Sequence, residues 1–267
     1  MPNPVKVVLV TGGSSGLGKA ICEHLAKAGH AVYGTSRMVD TGPDRYRMLT
    51  MDLVNEASVN SAVAQVIKEA GRLDVVVNNA GLGIQGATED LLPDQAMALF
   101  DTNVIGVHRV VRAALPQMRA QGSGLIINVT SLAANFGLPY RGFYSASKAA
   151  LERYTETLSM EVRPFGIHAV TLQPGEFKTN IGASRIRPAV IGDAYKAAYG
   201  RAMELLGDSL HYSRDPDEVA QMVQRIMDTG HPRSVYFAAH GKQRVAVLLK
   251  KFLPGRFFQR LMMKEYK

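Results

Sequence analysis

The sequence predicts an α/β fold in which a doubly wound parallel sheet of about seven strands carries helices on both of its faces. Short runs of β-branched residues alternate with helical periodicities along the 267 residues. Strands that alternate with helices pair in parallel through right-handed crossovers, and the strand segments are apolar throughout, as expected when both faces of a sheet are covered. Without an internal repeat or a low-complexity linker, a single domain is the economical interpretation.

The first half of the chain is predicted to contain five strands and three helices. Short apolar runs bounded by polar residues or glycine predict strands at residues 5–10, 31–36, 46–51, 73–77 and 125–129. Apolar residues at helical spacing predict helices over residues 17–28, 56–70 and 93 to about 120. Gly29 and Gly71 end the first two helices, because glycine adopts the left-handed conformation of a helix C-terminus at little cost.

The second half of the chain completes the alternation. A helix over residues 144–162 precedes a strand over 168–172, and Pro174-Gly175 ends that strand. A helix over 217–227 and a strand over 234–237 then close the sheet.

Two regions follow from this order of elements. Residues 1–240 are predicted to form the α/β domain, and residues 241–267 a basic amphipathic extension. Pro254-Gly255 is expected to split the extension into two short helices, because proline cannot continue a helix.

A glycine-rich turn joins the first strand to the first helix. Gly12 permits a tight exit from the strand, Gly16 lets the backbone approach a ligand, and Gly18 lets the helix pack closely on the strand. A helix N-terminus presents free N–H groups and the positive end of a dipole, and both attract phosphate. The turn therefore predicts a Rossmann-type site for a dinucleotide pyrophosphate, formed by Gly12, Ser14, Ser15, Gly16, Leu17 and Gly18.

The end of the second strand predicts NADP(H) as the preferred cofactor, with NAD(H) as the alternative. An acid at this point binds the ribose hydroxyls of NAD, whereas an arginine accommodates the 2′-phosphate of NADP. Here Arg37 ends the strand and no acid occurs before Asp40, although Arg37 could also be a solvated charge. A guanidinium pairs with phosphate through two parallel hydrogen bonds. After the third strand, Asp52 and Leu53 are expected to flank the adenine, unless Asp52 caps the next helix.

Further motifs follow in a fixed order. The chain contains, in sequence, Asn78-Asn79-Ala80-Gly81, Asn103, Ser131, Tyr144-Ser145-Ala146-Ser147-Lys148 and Pro174-Gly175. With the glycine turn, they come in the order and at the spacing of the short-chain dehydrogenase/reductase family, which the chain resembles over about residues 5 to 240. The resemblance implies an oxidoreductase that interconverts a secondary alcohol and a ketone or aldehyde by hydride transfer.

Tyr144 and Lys148 are four residues apart, so they share one face of a predicted helix. A tyrosine has a reference pKa of about 10, and an ammonium close by in a partly dehydrated cleft stabilises the phenolate form. Tyr144 is therefore expected to be the general acid and base. The resemblance implies that Lys148 also holds the nicotinamide ribose.

Ser131 and Asn103 are the other two expected catalytic residues. Ser131 follows the fifth strand, at the sheet edge where ligands bind, and its hydroxyl is expected to bind the substrate oxygen unless it caps its own turn. Asn103 lies inside a predicted helix, where asparagine is unfavourable. The resemblance gives Asn103 a water-holding role beside Lys148 in a proton relay; the alternative is a helix cap or a local kink.

The resemblance also implies cofactor contacts that the residues alone do not establish. The adenosine-ribose side is expected to be lined by Asn79, Ala80 and Gly81. The carboxamide and diphosphate are expected to contact Pro174, Gly175, Phe177 and Thr179. A phenylalanine at position 177 departs from the smaller aliphatic residue that is more common in the family.

By the same resemblance, residues 176–214 form the substrate loop. Their apolar side chains fit either an apolar binding surface or ordinary helix packing, and an apolar carbonyl or alcohol substrate is expected. The tail over residues 242–267 mixes apolar and basic residues. Three interpretations stay open for it: a lid on its own domain or on a partner subunit, contact with an anionic membrane surface, or a frayed end.

The composition argues against several other classes of protein. Dispersed histidines and a single cysteine, Cys22, provide neither zinc-ligand spacing nor a disulfide within the chain. No apolar stretch is long enough to span a bilayer and no signal peptide is evident, so we expect a cytoplasmic protein, with peripheral membrane contact through residues 242–267 as the alternative. The net charge of +8 is interpreted as a basic surface that attracts an anionic cofactor, not nucleic acid.

Alternative functions are a nucleotide-binding regulator with a vestigial site, a membrane-surface dehydrogenase of lipids or steroids that uses NAD(H), and an adaptor that binds through the basic tail. The intact set of Asn103, Ser131, Tyr144 and Lys148 favours the oxidoreductase. A homodimer or homotetramer is expected, because members of the resembled family pair through the helices that here contain Asn103 and Tyr144.

Overall fold

A parallel β-sheet forms the centre of the molecule in the computed structural model, which describes residues 4–39, 45–177, 185–211 and 214–265. Within these residues the sheet has seven strands in the order β3-β2-β1-β4-β5-β6-β7. The strands are β1 (Val7–Val10), β2 (Ala31–Ser36), β3 (Arg47–Thr50), β4 (Val75–Asn78), β5 (Gly124–Val129), β6 (Ile167–Pro174) and β7 (Val235–Ala238). The predicted α/β class and the single sheet are confirmed.

Helices cover both faces of the sheet. The described part of the chain contains α1 (Gly16–Lys27), α2 (Glu56–Ala70), α3 (Pro93–Phe100), α4 (Gly106–Gln121), α5 (Gly142–Val162), α6 (Lys196–His211), α7 (Asp217–Met227), α8 (Gly241–Phe252) and α9 (Gly255–Glu265). Val7 and Leu9 of β1 pack in a core with α2, α4 and α5, while Val8 and Val10 pack in a second core with α1 and α7. Because alternate side chains point to opposite faces, a strand buried on both faces is apolar at every position.

The strand order places a crevice at the carboxyl edge of the sheet. β1 pairs with β2 on one side and with β4 on the other, so the connections that leave these strands diverge. Ligands of doubly wound sheets bind at this switch point, outside the carboxyl ends of the strands. The sequence predicted the strands but not which strands are neighbours.

The segment predicted as one long helix, from Pro93 to about Ala120, is continuous but not uniformly α-helical. A π-helical turn over Asp101–Ile105 joins α3 to α4, and the N–H of Gly106 donates to the carbonyl oxygen of Asp101. Such turns insert one extra residue and occur often at functional sites. Asn103 lies in this turn, so the helix is locally irregular there, as the alternative interpretation of this residue expected. The water-holding role that the resemblance implied stays a prediction.

Close packing at the glycine turn explains two of its glycines. Gly12 has a φ of +70°, and a Cβ added there would lie 3.1 Å from the Cβ of Ala80 in the loop after β4. A Cβ added at Gly18 would overlap the carbonyl oxygen of Gly12 and would lie 2.5 Å from Nδ2 of Asn79. Gly18 therefore sets how closely α1 packs on the turn, as the sequence predicted.

We expect Gly18→Ala to lower the free energy of unfolding by about 1–3 kcal/mol, because the backbone must shift to make room for the methyl group. Gly200→Ala is the matched control: Gly200 lies within α6 and nothing lies within 4 Å of an added Cβ. Alanine at this position should be neutral or should stabilise by up to about 1 kcal/mol. Urea unfolding followed by circular dichroism measures both; equal stabilities of the two variants would contradict the close packing.

Candidate active site

One cavity of about 1070 Å³ opens at the carboxyl edge of the sheet. Most of the residues expected from the sequence line it, although they come from seven separate stretches of chain. These residues are Gly12, Ser14, Ser15, Gly16, Leu17, Arg37, Asp52, Leu53, Asn79, Ala80, Gly81, Ser131, Tyr144, Lys148, Pro174, Gly175 and Phe177. Gly18 and Asn103 do not line the cavity, and Thr179 lies outside the described residues.

The glycine turn presents a helix N-terminus to this cavity. Ser15 is the N-cap of α1, its side chain makes no capping hydrogen bond, and no acidic residue lies in the first turn of the helix. The first N–H groups of α1 are thus available to an anion. The turn is anchored by Thr11, whose Oγ1 accepts from the backbone N–H groups of Asn79 and Ala80, both at 3.0 Å.

The ends of β2 and β3 contribute Arg37, Asp52 and Leu53 to the cavity wall. Arg37 is exposed, so its guanidinium is accessible to a ligand. The alternative role of Asp52 as a helix cap is wrong, because Asn55 is the N-cap of α2 and its side chain accepts from the N–H of Ser58. The carboxylate of Asp52 accepts from the N–H of Val54 at 3.2 Å and so stabilises the loop that carries Leu53.

Tyr144 and Lys148 lie on the face of α5 that meets the cavity. The Nζ of Lys148 is 6.0 Å from the centre of the Tyr144 ring and donates to the carbonyl oxygen of Val129, at the end of β5, at 3.0 Å. Lys148 is buried, and this burial lowers the pKa of its ammonium to about 8. The ammonium is therefore charged at neutral pH and close enough to the ring to stabilise negative charge on the Tyr144 oxygen.

Asn103 supports this pair from behind the cavity wall. It is fully buried, and its Oδ1 accepts from the N–H of Leu82 at 2.7 Å while its Nδ2 donates to the Leu82 carbonyl oxygen at 2.9 Å. Nδ2 also lies within hydrogen-bond distance of Ser147 Oγ, at 3.2 Å, and Ser147 Oγ donates to the Tyr144 carbonyl oxygen. The amide thus connects the π turn to the loop after β4 and to the first turns of α5.

Gly81 leaves room for the polar groups of the site. A Cβ added at this position would lie 3.0 Å from Asn103 Oδ1 and 3.5 Å from Lys148 Nζ. The backbone of Gly81 therefore lies between the two side chains, where a larger residue would crowd both. This placement brings Asn103 and Lys148 near each other, but the water-mediated relay between them stays a prediction.

Ser131 is placed for both of the roles considered from the sequence. It is the N-cap of a short 3₁₀ turn over Leu132–Ala134, and its Oγ accepts from the N–H of Ala133 at 3.2 Å. It also lines the cavity, together with Tyr144. Because the hydroxyl accepts in the cap, its proton is free to be donated to a ligand oxygen.

The residues after β6 both line the cavity and pack against neighbouring elements. A Cβ added at Gly175 would overlap Oε1 of Gln243 in α8 and would lie 3.2 Å from the Cβ of Ala239, so a larger residue would displace the Gln243 side chain. Phe177 is almost fully buried in the core that contains α1 and α7. The Arg214 guanidinium lies 5.9 Å above its ring. The large side chain at position 177 thus fills the core, while its backbone stays at the cavity.

A protein-family model described as short chain dehydrogenase matches residues 6–188. The chain belongs to the short-chain dehydrogenase/reductase family. It is an oxidoreductase that acts on CH–OH and C=O groups, as the resemblance of its motifs implied.

Two relatives of known name align with most of this chain. A 3-ketodihydrosphingosine reductase from Bacteroides thetaiotaomicron is 38% identical over 229 residues, which is 85% of each chain. The dehydrogenase/reductase SDR family member 7B of Xenopus laevis is 31% identical over 94% of this chain and 79% of its own.

Solved structures agree with this membership. A short-chain dehydrogenase from Streptomyces avermitilis superposes with a TM-score of 0.82 at 33% identity, covering 99% of this chain and 96% of its own. A short-chain dehydrogenase from Burkholderia cenocepacia in complex with NADP has a TM-score of 0.75 at 26% identity and is covered in full, as is this chain.

Sequence reasoning missed two arginines that also line the cavity, Arg141 and Arg185. Arg185 lies within hydrogen-bond distance of Gln85 Oε1, at 3.3 Å, and a bridge between Ile84 and Ile186 fixes its segment. Burial lowers the pKa of Arg185, and the nearby charge of Arg141 acts in the same direction. No local pattern identifies such residues, because tertiary contacts alone bring their segments to the cavity.

The C-terminal extension supplies more of the residues that the sequence did not assign to the site. The cavity side chains from this part of the chain are Gln243, Val245, Ala246, Leu249, Phe258, Leu261 and Met262. The ring of Phe258 packs in a tilted arrangement on that of Phe136, with 5.4 Å between the ring centres. Within the described residues, the extension therefore packs against its own domain and covers part of the cavity.

Three further findings concern metal ligands, membrane-spanning helices and the single cysteine. Among the described residues, no group of three or more His, Cys, Asp and Glu side chains is placed to hold a metal ion. Within the same part of the chain, no helix is both long and apolar enough to cross a membrane. Cys22 is buried, and this burial raises the pKa of its thiol, as expected for a core residue and not for a nucleophile.

The buried ammonium of Lys148 predicts a pH dependence of stability. Its folded-state pKa of about 8 lies below the usual lysine value of 10.5, so between these values the folded protein binds fewer protons than the unfolded chain. The unfolding free energy of the wild type, relative to Lys148→Met, should therefore rise by about 2–3 kcal/mol from about pH 7 to about pH 10.

Urea unfolding of both proteins at each pH measures this difference, and groups that titrate in both proteins cancel. Lys68→Met, at an exposed lysine of α2, is the control and should show no such change. A difference between Lys148→Met and the wild type that does not vary with pH would show that the ammonium is not destabilised by burial.

Proposed function

We propose that this protein is an NADP(H)-dependent reductase and dehydrogenase that interconverts a secondary alcohol and a ketone or aldehyde on an apolar, long-chain substrate. The observation that carries the proposal is that Tyr144, Lys148 and Ser131 line the same cavity as the glycine turn. A proton donor, a cation and a hydrogen-bond donor thus face the same space as a phosphate-binding helix terminus. Hydride transfer to a carbonyl needs this combination.

The described residues fit a dinucleotide. The uncapped N-terminus of α1 and the positive φ angles of Gly12 and Gly16 allow a pyrophosphate to approach the backbone closely. Leu53 and Ala80 offer apolar contacts to an adenosine group, and Lys148 lies where a ribose hydroxyl can replace or supplement its bond to Val129. When bound, the nicotinamide supplies the hydride.

In the mechanism that we propose, the chain's own residues handle the proton and the developing charge. Ser131 donates a hydrogen bond to the substrate oxygen and orients it towards Tyr144. Tyr144 transfers its phenolic proton to this oxygen during reduction and takes it back during oxidation. Lys148 stabilises the phenolate left on Tyr144, and Asn103 keeps α5 in register with the loop after β4.

The preference for NADP(H) rests on Arg37. Its exposed guanidinium lines the cavity just after β2, where a 2′-phosphate would lie in a dinucleotide site of this type. A fork of parallel N–H groups suits a phosphate better than a hydroxyl. The related structure from Burkholderia cenocepacia, which contains NADP, supports the same choice.

The substrate class rests on the apolar side of the cavity. Ala202, Met203 and Leu205 of α6 face it together with the apolar side chains of the C-terminal extension. An alkyl chain in this space would bury apolar surface, whereas a polar substrate would leave its groups unpaired. The relative from Bacteroides thetaiotaomicron is named for 3-ketodihydrosphingosine, which supports a ketone on a long alkyl chain.

We expect Tyr144→Phe to lower kcat for NADPH-dependent reduction of a long-chain ketone by about 10²–10⁴-fold, because the proton donor is lost. NADPH affinity should stay near that of the wild type, since the ring remains. Tyr154→Phe, on the same helix, is the matched control: its hydroxyl faces His108 at 3.1 Å, away from the cavity. Steady-state absorbance assays and fluorescence titration of NADPH measure both quantities.

Retention of wild-type turnover by Tyr144→Phe would show that Tyr144 is not the acid and base. Tight NADPH binding by the wild type without turnover of any ketone in a broad screen would instead favour the nucleotide-binding regulator.

We expect Arg37→Ala to raise KM for NADPH by about 10–100-fold, the loss of a hydrogen bond to a charged group, while KM for NADH changes little. Arg225→Ala, at an exposed arginine of α7 that does not line the cavity, controls for net charge and should leave both values unchanged. Parallel kinetics with the two cofactors test this. Equal effects on NADPH and NADH would mean that Arg37 does not bind the 2′-phosphate.

A further inference from the structure

Nearly all of the net charge of this protein lies at its C-terminal end. Residues 1–240 contain 23 Lys or Arg and 22 Asp or Glu, whereas residues 241–267 contain eight Lys or Arg and one Glu. The fold is therefore almost neutral, and the extension carries seven of the eight net positive charges. Such a concentration attracts an anionic surface from a distance.

The outer face of α8 is both apolar and basic. Val245, Leu248 and Phe252 are exposed, Phe252 by 78%, and their spacing places them on one side of the helix. Lys251 is also exposed. The opposite side of the helix is anchored by Val247, which is buried with Leu132 and Ala239.

α9 also exposes apolar and basic side chains, although they are spread more widely around the helix than in α8. Phe257, Leu261 and Met263 are exposed, and Arg256 and Arg260 are exposed among them. Phe258 points the other way and is buried against Phe136. Both helices are therefore held by one anchored side, and each leaves large apolar side chains and cations in solvent.

Two of these exposed side chains lie at the mouth of the active-site cavity. Val245 and Leu261 line the cavity and are also 51% and 40% exposed. They are thus part of the rim, where the inner wall meets the outer surface. A substrate that enters between α8 and α9 would pass directly from this surface to the cavity.

We propose that the outer faces of α8 and α9 form a docking surface for a bilayer that contains anionic lipids, and that the apolar substrate enters the cavity from the bilayer. Basic amphipathic helices lie in the membrane interface with their apolar side chains among the acyl chains and their cations at the headgroups. The docking rests on the exposed side chains alone, whereas substrate entry rests on the proposed function.

Charge selects the bilayer over a second copy of this chain. A symmetric dimer places the same surface patch of both subunits face to face, which would bring the exposed cations Lys251, Arg256 and Arg260 of both subunits together. Anionic headgroups instead neutralise these charges. The exposed phenylalanines and leucines then gain apolar contacts without electrostatic repulsion.

Flotation of the full-length protein with vesicles tests the docking. The probes are vesicles of phosphatidylcholine alone and vesicles with added phosphatidylglycerol, at low and high salt. We expect binding to the anionic vesicles that weakens at high salt, because salt screens exposed charges. Lys251→Gln with Arg256→Gln should lower the partition coefficient of the protein onto anionic vesicles about thirtyfold, because each cation contributes about fivefold. Leu248→Glu with Phe252→Glu should abolish binding.

Matched controls separate docking from general effects of the substitutions. Met97→Glu with Met160→Glu places the same acids at two equally exposed apolar residues of α3 and α5, and Lys68→Gln removes a cation from α2; both should bind like the wild type. Binding that does not depend on anionic lipid, or that is equal in the α8 variant and the controls, would overturn the docking. A dimer in light scattering that the α8 variant dissociates would replace it with self-association.

Kinetics test the entry of substrate separately. With a water-soluble ketone, the α8 variant should keep wild-type turnover, which also shows that it is folded. With a long-chain ketone in anionic vesicles, its kcat/KM should fall in parallel with vesicle binding. Wild-type rates on the vesicle substrate would overturn entry from the bilayer. Flotation without turnover of any ketone by the wild type would leave the docking in place and refute the proposed function.

Discussion

The burial of a single ammonium, that of Lys148, imposes conditions on much of the surrounding structure. A charge in this position needs a hydrogen-bond acceptor, and the carbonyl oxygen of Val129 provides one only because β5 ends beside α5. The group also needs space, which Gly81 leaves open. The ends of β4 and β5 and the first turns of α5 are thus fixed relative to one another by the requirements of one side chain. The same arrangement puts the ammonium near Tyr144.

The π turn at Asp101–Ile105 belongs to this arrangement. A π turn contains one residue more than an α-helical turn. In a regular α-helix from Pro93 to Gln121, the side chain of residue 103 would therefore point in a different direction. In the turn, Asn103 reaches both the backbone of Leu82 and Ser147. An asparagine amide carries two donors and an acceptor, which lets one buried side chain bind two separate segments. The irregular turn is stabilised by the hydrogen bonds that it makes possible.

The parts of this fold that depend on local pattern were predictable from the sequence. The apolar strands, the glycine turn and the spacing of Tyr144 and Lys148 are local features, and each is where its pattern placed it. The order of the strands was not predictable, because pairing of β1 with β4 joins segments far apart in the chain. For the same reason Arg185 and Gln243 were missed: they lie in segments without a motif and reach the cavity only through tertiary packing. The difference is one of sequence separation, not of importance to the site.

In the C-terminal extension, the apolar cavity wall formed by α8 and α9 leaves apolar side chains exposed on the outer surface. An apolar cavity wall built from two short helices requires that each helix be anchored on one side, and Val247 and Phe258 provide these anchors. Helices of this length bury only a narrow stripe of side chains, so the apolar residues at the rim remain in solvent. Exposed apolar patches favour self-association, and a high density of like charge opposes it. The cations around Phe252 and Phe257 therefore allow an open, apolar cavity mouth to persist on a protein whose remaining charge is close to zero.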